Sequence, residues 1–148
     1  MRTINQLGLD NEKTIMLSKK LNNLLADYIV FYQNVRGLYW NIKSEIFFEL
    51  HVTFKELYTN LLLKVGEVPE RILNLGETPL HTFDEYSNSS DIKSVKDMSQ
   101  AEPAMKVILD GFQILPIKQR ELLDLSQKAN DEGTNALMNN YIRVNKKN

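Results

Sequence analysis

Three observations predict an all-α chain, built as a bundle of four long helices with one long crossover. Apolar residues recur at steps of three and four in four separate stretches, the spacing that lines one face of a 3.6-residue helix. Residues that cap or stop helices fall between those stretches. The connections run short, long, short, which gives an up-down bundle with the crossover between the second and third long helices.

The chain of 148 residues is long enough for one domain with a substantial core, and 1–148 reads as a single unit. Apolar residues make up 43%, ordinary for a soluble globular chain. A formal net charge of -1 argues against tight nucleic-acid binding by the chain as a whole. The absence of Cys excludes disulfide and thiolate chemistry without fixing the compartment. Residues 1–13 lack the continuous apolar core of a signal peptide, and the longest aliphatic run, Leu61-Leu62-Leu63, is too short to span a membrane. The expectation is a soluble, cytoplasmic protein.

Residues 1–12 are polar and read as a flexible tail, with the first long helix starting near Asn11 to Lys13. Met16, Leu21, Leu24, Leu25, Tyr28, Phe31, Val35 and Leu38 form its stripe, which ends around Trp40 to Ile42. Ser44 is placed to cap the second helix, because its hydroxyl can accept from a free backbone N–H. That helix carries Phe47, Phe48, His51, Phe54, Leu57, Tyr58, Leu61, Leu62, Val65, Ile72 and Leu75, about thirty residues or roughly 45 Å. Gly76 suits the left-handed turn that ends it. Gly66 and Pro69 lie inside, and a helical proline costs about 3 kcal/mol, so a kink near residues 65–69 is expected. Glu77 to Asp97 reads as a crossover with one short helix over 82–87.

Ser99 and Glu102 form a capping-box pattern, with Pro103 in the first turn of the third long helix. Its stripe runs through Met105, Ile108, Leu109, Phe112, Leu115, Leu122, Leu123 and Leu125, with a second kink expected at Gly111 and Pro116. The last helix starts near Asp131 and carries Leu137, Met138, Tyr141, Ile142 and Val144. It has about four turns against roughly eight for the others. The far end of the core is therefore expected to stand open or to be filled from elsewhere.

Three separated words carry a family resemblance: QNVRG-x-x-WNIK at 33–43, FFELH-x-x-F-x-ELY at 47–58 and ERIL-x-LG-x-x-PLHTF at 70–83. Together they resemble the Dps-like mini-ferritins over residues 14 to 144. The resemblance implies a ferritin-like four-helix bundle with a short helix in the crossover and, here, a shortened last helix. It also implies a hollow homo-oligomer, a dodecamer built from two-fold dimers. Such shells bind iron, oxidise it at a ferroxidase centre, store the mineral and protect against peroxide.

In that family the ferroxidase site lies at a dimer interface. One subunit offers a His before the turn and a second His twelve residues later; the other offers an Asp and, four residues on, a Glu. The resemblance maps the second His to His51 and the Glu to Glu70. The first His falls on Tyr39 and the Asp on Gly66, while a further acid of the family falls on Lys55. Trp40, which in the family sits beside the site and can absorb an oxidising equivalent, is kept. Glu67 stands one residue from the Asp position and points roughly 100° away round the helix. Only a kink at Pro69 would swing it inward, and the plainer reading is a solvated or paired surface acid.

Periodicity alone reads His51 as a partly buried core residue, and the Glu-x-x-His motif of an intrasubunit di-iron site is missing. His51 and Glu70 lie on one helix about 28 Å apart. One metal can join them only if a two-fold partner runs antiparallel. One imidazole and one carboxylate are a thin set for Fe(II) and Fe(III), and a phenol such as Tyr39 ligates well only after losing its proton.

The family's three-fold pore is lined by acids near the start of the last helix, where Asp131 and Glu132 remain and Gln127 and Ala136 stand at positions often acidic. Both acids also suit a helix N-terminus through its dipole. Arg2, Lys13, Lys19, Lys20, Arg143, Lys146 and Lys147 are too few and dispersed for more than weak, salt-sensitive DNA binding. The expected function is iron binding and storage with oxidative-stress protection, the intrinsic ferroxidase activity being weak or lost. The alternative is a non-enzymatic structural or interaction subunit of a ferritin-like shell.

Overall fold

The computed structural model describes residues 8–43 and 47–147, the side chains of the last four excepted. Five helices follow one another: α1 (Asn11–Asn41), α2 (Phe47–Asn74), α3 (Phe83–Ser89), α4 (Ala101–Lys128) and α5 (Glu132–Lys147). The central member is α1, which packs against α2, α4 and α3, while α5 packs on α4. The predicted order and the crossover position are those found. Among the described residues no helix is long and apolar enough to cross a membrane.

The first helix starts at Asp10, whose Oδ1 accepts from the Lys13 amide at 3.1 Å, so Asn11 and Glu12 already belong to the helix. From Leu21 to Leu38 the predicted stripe is buried. Met16 is the exception, 53% exposed, with Leu17 turned inward in its place. The Ser44 cap lies outside the described residues. The second helix ends as expected: Gly76 takes φ 84°, the Gly76 amide donates to Leu73 O and the Glu77 amide to Ile72 O, a Schellman closure.

Neither proline divides its helix. The α2 helix runs unbroken through Gly66 and Pro69, and α4 through Gly111 and Pro116. Buried Val68 and Ile72 flank Pro69, and buried Leu115 and Gln119 flank Pro116. Packing on both sides of each proline outweighs the one lost hydrogen bond.

The capping box of the third long helix does not form. Gln100 is the N-cap and makes no side-chain capping bond, while the Ser99 carbonyl accepts from the Lys43 amide at 2.7 Å. Ser99 is thus used to tie the crossover to the end of α1. Other straps do the same: Asn23 and Asn34 side-chain amides donate to the Ser89 and Lys93 carbonyls, and the Val95 amide donates to Asn34 Oδ1. Thr82 caps α3, and its hydroxyl bond to Glu85 holds that carboxyl below its usual range.

At the middle of α1, Asp27 is fully buried. It accepts from Ser90 Oγ at 2.9 Å, from the Asp91 amide at 2.8 Å and from Lys118 Nζ. Lys118 also pairs with Asp91 at 2.5 Å, which holds the Asp91 carboxyl below the usual range. One ammonium on α4 therefore locks α1 and the crossover together.

The close approach of α1 and α4 depends on Gly111. A Cβ there would lie 2.5 Å from Cζ of the buried Phe31 ring. Gly111→Ala is expected to cost about 1–3 kcal/mol through overpacking, read as a lower urea midpoint. Phe31→Leu in the same chain should recover part of the loss, because the ring is what the new methyl meets.

One part of the bundle is not filled by the described residues. A cavity of about 400 Å³ lies between α2 and α4, walled by Leu57, Leu61, Ile108, Phe112 and Leu115 with Lys64 at one end. Among the described residues none of α5 lines it. Phe48, Leu62, Met105 and Leu109, counted into inward stripes from the sequence, are exposed instead. Both helices carry a second apolar face that points away from α1.

Candidate metal site

The end of α1 and the start of α2 meet over a stack of rings. Tyr39 lies on the His51 imidazole with centroids 3.7 Å apart and planes at 24°. Phe47, one turn before His51, stacks on it at 4.8 Å. Tyr58 meets Tyr39 edge-on at 5.3 Å and Tyr32 at 5.9 Å. His51 Nδ1 is buried and has no hydrogen-bond partner. That nitrogen is closed off within the subunit, while the His51 side chain as a whole is only partly buried. Trp40, next to Tyr39 in the chain, is 57% exposed, with the Arg36 guanidinium 4.7 Å over its ring.

The remaining candidates occupy the outer face of α2. Glu70 and Gly66 are both exposed, and a Cβ on Gly66 would meet nothing within 4 Å. Because α2 is continuous, His51 and Glu70 stay about 28 Å apart within a chain. Glu67 does not join Glu70: its Oε1 accepts from the Tyr141 hydroxyl at 3.0 Å, tying it to α5 of its own bundle. Glu67 is exposed, and its hydroxyl partner lies 74 residues on in the sequence. Among the described residues no three His, Asp or Glu side chains come close enough to hold a metal ion.

The bundle centre holds a different set. Gln119 Nε2 donates to Tyr28 Oη at 2.7 Å, and Tyr28 meets the Tyr141 ring edge-on. Lys64 Nζ sits 5.1 Å over Tyr141 and donates to Asn60 at 2.5 Å. Burial pushes both tyrosine hydroxyls up and the Lys64 ammonium down. An ammonium and two phenols offer no cradle for a pair of metal ions, in keeping with the missing Glu-x-x-His motif.

At the start of α5 the expectation needs correcting. Asp131, read as a pore acid, is buried. Its Oδ1 accepts from Arg71 Nη2 at 2.6 Å and from the Thr134 amide, and its Oδ2 from Thr134 Oγ1. Gly133 leaves room for the guanidinium, since a Cβ there would lie 2.5 Å from Arg71 Cζ. The carboxylate is committed inside the subunit, and Glu132 is the exposed acid at this end. Arg71 had no local signal in the sequence, because its partner lies sixty residues on.

The order of the helices, the long crossover and the short α3 define the class as a ferritin-like bundle, and residues 18–148 match the ferritin-like domain family. A crystal structure of a Dps protein from Vibrio cholerae O1 superposes with a TM-score of 0.95 at 46% identity, over 99% of this chain and 92% of that one. That protein is described as a member of a broad superfamily of ferritin-like diiron-carboxylate proteins. The DNA protection during starvation protein of Porphyromonas gingivalis is 36% identical over 91% of this chain and 85% of its own length. An uncharacterized protein of Haemophilus influenzae is 47% identical over 95% and 88%. The chain belongs to the Dps-like mini-ferritins of the ferritin-like family.

Proposed function

We propose that the chain forms a cytoplasmic hollow homo-oligomer, a dodecamer assembled from antiparallel two-fold dimers. In this reading it takes up iron as substrate, stores it and protects against peroxide, with intrinsic ferroxidase activity weak or lost. The observation that carries the reading is the split pair on α2: partly exposed His51 at one end and exposed Glu70 at the other. An antiparallel partner brings each His51 to the other subunit's Glu70 and makes two equivalent sites. Phe48 and Leu73 lie three residues outside that pair and are 81% and 61% exposed. In the same register they cover one another across the axis.

Oxidation by peroxide moves one electron from each of two ferrous ions, and the peroxide takes up two protons and leaves as two waters. Holding two such ions needs several anionic or imidazole donors around open positions. Here each site has one of each. Tyr39 fills the place of a second imidazole with a ring lying flat on His51, and Gly66 offers no side chain.

The test is Fe(II) oxidation by oxygen and by peroxide, followed by ferric absorbance, with purified oligomer set against buffer. The expected rate is close to that of buffer, and fast saturable oxidation would show that other ligands complete the site. A second reading, a structural shell or interaction subunit without iron chemistry, is favoured by Gly66 and Lys55, which place no side chain and an ammonium where ligands would stand. It is supported if the shell also fails to retain ferric iron through gel filtration. DNA retention is expected only at low salt, vanishing between roughly 50 and 200 mM.

A further inference from the structure

The outer face of α2 carries an ammonium where the proposed site calls for a cation. The inference rests on the antiparallel dimer proposed above, whose register follows from pairing His51 with Glu70. Lys55 lies four residues inside His51, and Gly66 four residues inside Glu70. Four residues make about one turn, so each shares a face with its neighbour. In that register Lys55 of one subunit stands opposite Gly66 of the partner subunit, one turn from the partner's Glu70. Lys55 and Glu70 are both exposed, and neither makes an ion pair among the described residues. The open space at Gly66 leaves room for a long side chain from across the axis.

We propose that Lys55 of each subunit sets its ammonium against the partner's Glu70, so that the dimer interface carries a built-in cation where a metal ion would lie. Two consequences follow from the charge. The interface closes without metal, because Glu70 is neutralised by the protein itself. A divalent cation is repelled, because it would bring two charges beside an ammonium already in place.

The test is sedimentation in chelator-treated buffer of the native protein, Lys55→Glu, Glu70→Lys and the charge-exchanged double variant. Both positions are exposed, so circular dichroism should show native helix content throughout. The native protein is expected to assemble without metal. Lys55→Glu should weaken assembly by roughly tenfold or more and should regain it on addition of Zn²⁺, the probe cation. The double variant should reassemble with no zinc. Lys55→Glu assembling like the native protein, or a folded double variant failing to reassemble, would overturn the Lys55 assignment alone. A native protein that sediments as a monomer would overturn the dimer reading and this one with it.

Discussion

Lys118→Ala is expected to lower stability by about 3–5 kcal/mol, seen as a fall of roughly 10 °C in the thermal midpoint. The reason lies in what the ammonium leaves behind. Asp27 is fully buried in α1, and Lys118 is the cation paired with it. Without Lys118 the carboxylate keeps its bonds from Ser90 and Asp91 but loses its counter-charge in a place that water does not reach. Asp27→Asn together with Lys118→Met should restore most of the loss, since it removes both charges and keeps an acceptor for the Asp91 amide and the Ser90 hydroxyl. If the double variant is no better than the single one, the clamp acts by some other means. Acid should loosen the same strap. Asp91 has its pKa depressed by Lys118, so its contribution is complete above the ordinary carboxylate value and is lost as pH falls through the depressed one. Amide exchange at residues 90–93 should quicken there and stay slow at neutral pH.

The second large effect is a gain. Tyr39→His with Gly66→Asp and Lys55→Asp is expected to raise protein-dependent Fe(II) oxidation by about tenfold or more. Each change answers a stated deficit. Tyr39→His exchanges a stacked phenol for a second imidazole next to His51. Gly66→Asp enters open space on α2 and replaces a helical glycine, so it should change stability by no more than about 0.3 kcal/mol. The third change matters because Lys55 faces position 66 across the proposed axis. Its ammonium would pair with the new carboxylate and keep it from iron. The double variant without Lys55→Asp is therefore expected to gain much less, and equal rates in the two variants would count against that pairing. Stopped-flow oxidation of both in parallel makes the comparison.

Much of the fold was readable along the chain because it is local. Helix stretches follow from apolar spacing within a few turns, and the ends at Gly76 and Asp131 rest on bonds whose partners lie within five residues. The long crossover between two short connections followed from where the stripes stop. The deficits at Tyr39 and Gly66 were equally plain, since a missing donor is a matter of residue type. The Ser99 box failed for an instructive reason: a cap pattern competes with long-range uses of the same backbone, here the bond from Lys43.

Only the tertiary structure decided which face of each helix turns inward, because α2 and α4 carry two apolar faces and periodicity cannot rank them. That choice exposed Phe48 and Leu109. It also decided the fate of the acids. Asp27, Glu67 and Asp131 look alike as isolated letters, yet each is bound by a partner sixty or more residues away: Ser90 and Lys118, Tyr141, and Arg71. The physical reason is common to all three. A helix can be inferred from neighbours in sequence, but a buried or tethered charge is defined by what reaches it through space, and that depends on how the helices are brought together.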